Sequence, residues 1–427
     1  MTGQESGKYL IVGAQFTDGS RGDLYVADGR FADPADAPGD AERVDADGLI
    51  ALPGLVDLHT HLREPGREDA ETIATGTLAA ARGGFTAVFA MPNLTPATDT
   101  AEAAQYVAEI GRRDGHCEVV PIGAVTKGRD GQELAELGLM AKNAGVRVFS
   151  DDGACVSDSL VMRRALTYLK PYDGVIAQHA QDPRLAGPSA CAHESDIQGR
   201  LGLPGWPAVA ESAIIARDVL LAEYCGARYH ACHISTAESV EVIRWAKKRG
   251  IQVTAEATPH HLLLDTSYIK GYDTVFKVNP PLAKSEHVEA IREGLADGTI
   301  DIVGTDHAPH TQEDKDHPFD VALPGMLGLE QALSVVMELM INTGRMDWTT
   351  LVQRMSSKPA EIGRLPHQGR PIGVGEPANL VLVDPTARAV VDREASASIS
   401  RNNPYHGFDL PDPVVATMWR GGFTYRR

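Results

Sequence analysis

The chain has 427 residues, enough for one large barrel with an appended domain or for two or three domains. Its 43% hydrophobic and 23% charged content excludes a disordered chain. With 58 Asp+Glu against 40 Lys+Arg, the net charge of −18 argues against nucleic acid or an anionic membrane surface as partner.

The polar start MTGQESGKYL does not read as a signal peptide, and no apolar run approaches the ~20 residues of a membrane span. The first fifty residues predict short strands over 9–12, 23–27 and 29–32, parted by turn signals such as Asp28-Gly29. The centre then alternates apolar runs with helical periods. The runs are 55–59, 86–91, 119–125, 146–151, 175–179, 229–235, 253–258 and 300–306. Helices are predicted over 71–82, 101–112, 134–144, 160–169, 211–222, 237–249, 287–295 and 328–341. The last sixty residues predict strands again, over 378–383 and 415–420. Eight strand–helix units predict a (β/α)8 barrel over 54–365, with a mixed doubly wound sheet as the alternative. The two β-rich ends, 1–53 and 366–427, are expected to pair into a small β-sandwich. Five cysteines, at 117, 155, 191, 225 and 232, have no framework spacing, as expected of a reducing cytoplasmic compartment.

Polar residues suited to chemistry end several of the central runs: His59, Asp152, His179, His233 and Asp306. In a barrel these ends open on one face, so residues distant in sequence converge. His59 and His61, two apart on a strand, point the same way and can grip one cation, and neutral imidazoles suit Zn²⁺ and its neighbours. Taken singly, each of these residues reads better as a satisfied structural side chain; their recurrence on one rim favours a metal centre.

The strings GLVDLHTHLREPG, AMPN, FSDDG, TAEATPHHL, FKVNPPL and GTDHAPH together resemble the class I dihydroorotases of bacteria, within the amidohydrolase superfamily. The resemblance runs from about Gly54 to Lys358. It implies that His59 and His61 bind a first Zn²⁺, that His179 and His233 bind a second, and that Asp152 bridges the two. It implies that Asp306 binds the first metal and serves as general base and acid. The preference for Asp152 over Asp151 rests on the resemblance; Asp151 otherwise reads as a loop cap. Many superfamily members bridge their metals with a carbamylated lysine. Residues 146–153 contain no Lys, and the nearest, Lys142, lies upstream in a predicted helix.

Arg63 follows His61 by two residues, on the same side if the strand continues, and its fork matches a carboxylate; its alternative is a surface ion pair. Asn93 and Asn279 offer amide groups to a carboxylate or ring amide, and His310 a donor. By resemblance the stretch His61-Leu62-Arg63, with Asn93, Asn279, His310 and the backbone at Pro324-Gly325, contacts substrate. The family usually carries an aromatic residue where Pro324 stands. His260, His261 and His307 read as packing or supporting residues. The charged segment 311–320 is either a lid or an ordinary solvated loop.

The implied reaction is reversible cyclisation of N-carbamoyl-L-aspartate to L-dihydroorotate in pyrimidine biosynthesis. The resemblance further implies a homodimer and the possibility of a complex with aspartate carbamoyltransferase. Rival readings are a hydantoinase or allantoinase, and a catalytically silent scaffold for that transferase.

Overall fold

The computed structural model describes residues 7–427; the first six residues of the polar start lie outside it. Eight parallel strands follow in the predicted order: Leu55–Thr60, Phe85–Ala90, Glu118–Pro121, Val148–Phe149, Val175–Gln178, Arg228–Ala231, Val253–Ala257 and Ile302–Val303. The first three form one ladder and the last five another. Two isolated parallel bridges, Gly123 to Phe149 and Thr60 to His307, join the ladders into a closed ring. Across these seams Ser150 N donates to Gly123 O at 2.9 Å and His61 N to His307 O at 2.9 Å. The ring is the predicted (β/α)8 barrel, and the doubly wound alternative is dismissed by its closure.

Alternation along the strands separates two cores. Ala87, Phe89, Ala177 and Ile302 face inward with Val148 and Val175, and Ala360 and Ile362 join this inner core. Val88, Ala90, Tyr229, Ala231, Val253 and Ala255 face outward onto the helices. Several of those helices begin where a short polar side chain caps them. Thr72, Thr100 and Thr236 each accept a hydrogen bond from the backbone N–H three residues on.

The two chain ends build one eight-stranded sheet. Leu380–Val383 pairs antiparallel with Ile50–Pro53, linking the C-terminal strands Val414–Trp419 and Gly422–Arg426 to the N-terminal ones. The sheet branches at Tyr9–Gln15, which pairs with Arg21–Ala27 and also with Glu42–Asp45. Here period two again sorts the side chains. Leu380 and Leu382 fill the core of this β-rich domain with Ile11, Val26 and Met418, while Val381 and Val383 pack on the barrel. Residues between 388 and 411 do not join this sheet. Arg388–Val390 pairs with Asp409–Pro411, and Tyr405 and Leu410 pack beside Leu264, Val278 and Met326 of the barrel loops. No helix among the described residues is long and apolar enough to cross a membrane.

Candidate metal centre and active site

The first barrel strand carries a bulge. Asp57 opposes Val88 and Thr60 opposes Ala90, so three steps on one strand match two on its neighbour. Buried Asp57 fixes the bulge, accepting from His59 N and Thr305 N, both at 3.1 Å, and from the Thr305 hydroxyl at 2.5 Å. Past the bulge, His59 and His61 both face the barrel mouth, where four more sequence-predicted residues meet them. His61 Nε2 lies 3.0 Å from Asp306 Oδ1 and 3.3 Å from Asp152 Oδ2. His59 Nε2 lies 3.5 Å from both Asp152 Oδ1 and Asp306 Oδ1. His233 Nε2 lies 3.2 Å and His179 Nδ1 3.5 Å from Asp152 Oδ1, and these two ring nitrogens face each other at 3.0 Å. Asp152 thus turns one oxygen toward His59, His179 and His233 and the other toward His61. All six residues are buried.

The adjacent Asp151 points elsewhere. It accepts from Val125 N at 2.8 Å and Thr126 N at 3.0 Å, capping the loop after the third strand. No lysine joins the cluster, for Lys142 lies on the outer helix over the Tyr172 ring.

These groups fit a cation. His59 Nδ1 is hydrogen-bonded to Glu256, which leaves Nε2 as an acceptor; that atom is buried without a hydrogen-bond partner and faces two carboxylates. His59, His61 and Asp306 form one potential ligand group, and His59, Asp152 and His233 another. Burial opposes charge on Asp152, yet His59, His179 and His233 hold its carboxyl well below the usual range. For Asp306, burial is likewise outweighed, here by the His61 hydrogen bond and the His59 charge. In turn, burial would lower His59, but Glu256 and Asp152 draw it well above the usual imidazole value. The site demands positive charge, and a metal cation supplies it while displacing those protons.

Glu256, at the end of the seventh strand, received no role from the sequence. Besides His59 it accepts from His233 N at 3.1 Å and lies 3.1 Å from His230 Nε2, so it orients the His59 imidazole and anchors the backbone at His233. Gly304 leaves it room, because a Cβ there would sit 2.5 Å from Glu256 Oε2. A buried acid in a strand gives no periodic signal that separates it from a structural ion pair.

The residues expected around the substrate line the same mouth in part. The strand ends at Thr60, and Arg63 has a left-handed φ of 62°, so strand alternation does not aim its side chain. Its guanidinium instead donates to Pro309 O at 3.0 Å and lies 3.4 Å from His310 Nε2. His233 and Asp306 also have positive φ, 29° and 46°, placing three strained residues at one site. Asn93 Oδ1 accepts from His61 Nδ1 at 2.9 Å, and the Asn279 amide lies 3.2 Å from His179 Nε2. His310 Nε2 donates to Pro324 O at 2.9 Å; burial, then Arg63, pushes its pKa down to about 3, so it is neutral at pH 7. The Leu62 side chain is buried in the helix-side core, which leaves only its backbone for any contact at the mouth.

His307, His261 and His260 lie off the cluster. His307 Nδ1 accepts from Gly328 N, and its Nε2 faces Glu71 at 3.4 Å. His261 bonds Thr258 and Pro280 O, and His260 is buried against it. The segment after 310 is tied down. Gln312–Lys315 is a short helix capped by Thr311, and buried Lys315 donates to Leu323 O at 2.9 Å and Gly325 O at 3.2 Å.

A family model described as dihydro-orotase-like matches residues 48–239. The chain is 57% identical to the dihydroorotase of Streptomyces coelicolor, covering 98% of each chain. It is 58% identical to that of Leifsonia xyli subsp. xyli, covering 97% of this chain and 95% of the relative. Among solved structures, the L-hydantoinase of Arthrobacter aurescens matches with a TM-score of 0.87 at 25% identity, covering 98% of this chain and 96% of that one. Fold is thus shared with cyclic-amide hydrolases at low identity, whereas sequence is shared far more closely with one group of them. By that identity over nearly its whole length, the chain belongs to the dihydroorotase family.

Proposed function

We propose that this chain is a metal-dependent dihydroorotase, interconverting N-carbamoyl-L-aspartate and L-dihydroorotate. The observation that carries this reading is the position of Asp152, a carboxylate supplied directly among His59, His61, His179 and His233, with one oxygen toward His61 and the other toward the remaining three. Four imidazoles and two carboxylates suit zinc, and we infer two ions sharing Asp152. Bound there, such ions would polarise the ring carbonyl and make a water molecule nucleophilic near neutral pH.

The protein's own groups supply the rest. In ring opening, Asp306 takes a proton from the attacking water and delivers it to the departing ring nitrogen. Its carboxylate, held ionised by His61 and His59, is ready to accept that proton. The Arg63 guanidinium holds the exocyclic carboxylate as a charged fork, and neutral His310, its one N–H committed to Pro324 O, packs beside it and fixes the wall of that end of the site. Asn93 and Asn279, which abut His61 and His179, read the ring amide. N-carbamoyl-L-aspartate carries two carboxylates and dihydroorotate one, so closure consumes a proton and is favoured by acid.

The test is a side-by-side assay of the purified protein on dihydroorotate, hydantoin and allantoin. The reading expects dihydroorotate to be opened at least tenfold faster than the others. Preference for hydantoin or allantoin would move the chain to the rival cyclic amides, and inactivity on all three, with metal bound, would favour the silent scaffold.

A further inference from the structure

Between Val391 and Phe408 the chain leaves its strand pair, crosses the barrel mouth and returns. Val391 N donates to Phe408 O and Gly407 N to Val391 O, both at 2.9 Å, so the ends of the excursion meet as in an Ω-loop. Its middle is fastened to the loop after the first barrel strand. The Ser398 hydroxyl and Ile399 N donate to the buried Glu71 carboxylate, and the Ser400 hydroxyl donates to Ala70 O at 2.7 Å. This places buried Asn402 beside the two loops that carry His310 and Gly325.

The Asn402 amide reaches both loops. Its Nδ2 donates to Ala308 O at 2.9 Å and to Gly325 O at 3.0 Å, while its Oδ1 accepts from His310 N at 3.2 Å. The Asn402 carbonyl accepts from Leu327 N at 3.1 Å. One side chain thereby sets the spacing between the loop bearing His310 and the loop bearing Pro324 and Gly325. The His310 ring closes the circuit by donating to Pro324 O. Little slack exists, because a Cβ at Gly325 would sit 2.7 Å from the His310 ring. Neither loop has strand pairing there beyond the isolated bridge of His307 to Met326. Without the amide, Ala308 O and His310 N would be buried unpaired and Gly325 O would keep only its bond from Lys315 Nζ, and the loops would have to move to satisfy them.

We propose that Asn402 is a positioning residue for substrate binding, with the C-terminal excursion acting as a clamp on the carboxylate end of the site. The proposal rests on the dihydroorotase reading, which gives His310 and Gly325 their contact with substrate. Asn402 touches no metal-binding side chain, so its loss should weaken substrate binding and leave the metal centre intact.

The experiment compares Asn402→Ala and Asn402→Asp with Asn403→Ala as control. Asn403 is equally buried in the same segment, but bonds Gln331 and Tyr405 N rather than the substrate loops. KM and kcat for dihydroorotate opening, bound zinc and Tm are measured for each. The expectation is a KM raised at least tenfold in both Asn402 variants, kcat within about threefold, and zinc content unchanged. Asn403→Ala should lower Tm yet keep KM within twofold. Asn402→Asp keeps the acceptor for His310 N, so it supplies the answer should the alanine variant not fold. A KM within twofold of wild type in a folded Asn402 variant, or an equal rise in Asn403→Ala, would overturn the proposal. Inactivity of the wild-type protein on dihydroorotate would instead overturn the underlying reading.

Discussion

His59 Nδ1 is committed to Glu256, and Glu256 is committed also to His230 and to the backbone of His233. Replacing that acid with an amide removes one acceptor and the charge that draws His59 upward. Glu256→Gln should therefore weaken zinc binding about 10–100-fold, read by competition with a chelator; unchanged affinity would remove Glu256 from the account. Asp306→Asn separates chemistry from binding. The amide cannot accept the proton, so kcat should fall at least ~10²-fold while zinc stays bound in most molecules. Activity near the wild-type level would end the role given to Asp306. The six residues meeting at the mouth were legible because histidines and acids recur at strand ends. Glu256, Asp57 and Asn402 were not, since what they do depends on partners 23 to 248 residues away that no local pattern names.

The helices fell close to their predicted bounds because apolar residues recur at helical period, and those after Thr72, Thr100, Asp158 and Thr236 also start at a capping residue. From the third onward, the barrel strands proved shorter than their apolar runs. The run over 300–306 pairs only at Ile302–Val303, and that over 229–235 only through Ala231. Beyond those points the backbone bends to aim His233 and Asp306 inward, at the positive φ values that end strand pairing. Residues 311–320 read as a charged lid or a solvated loop, but Lys315 is buried among carbonyls, which a run of charges cannot reveal. Burial, then Lys277, pushes Lys315 down to about 7. Below that pH the folded state carries a buried charge. Between pH 7 and ~10.4, the ordinary lysine value, the unfolded chain holds a proton the folded chain has released, so stability from this group rises with pH. The difference in Tm, wild type minus Lys315→Met, should increase from pH 7 to 10; a flat difference would contradict the burial of the ammonium.

At the scale of the molecule, the barrel matters because closure brings the first strand beside the last. The seam at Thr60 and His307 is what sets His61 and Asp306 side by side, although 245 residues separate them. The alternation of eight runs announced this closure, and the β-rich ends announced their pairing into one small β-rich domain, expected as a sandwich and built around a single eight-stranded sheet. The excursion over the mouth could not be foreseen, since 388–411 has neither period and the same β-rich composition as its neighbours. The account's central claim is that the convergent imidazoles and carboxylates hold the ions on which ring opening depends. The most direct measurement is a zinc titration of the chelator-stripped protein, following dihydroorotate opening. The expected result is no activity without metal and a rise to a plateau at about two equivalents per chain. Full activity in the stripped protein, or zinc bound at that ratio with no ring opening, would contradict it.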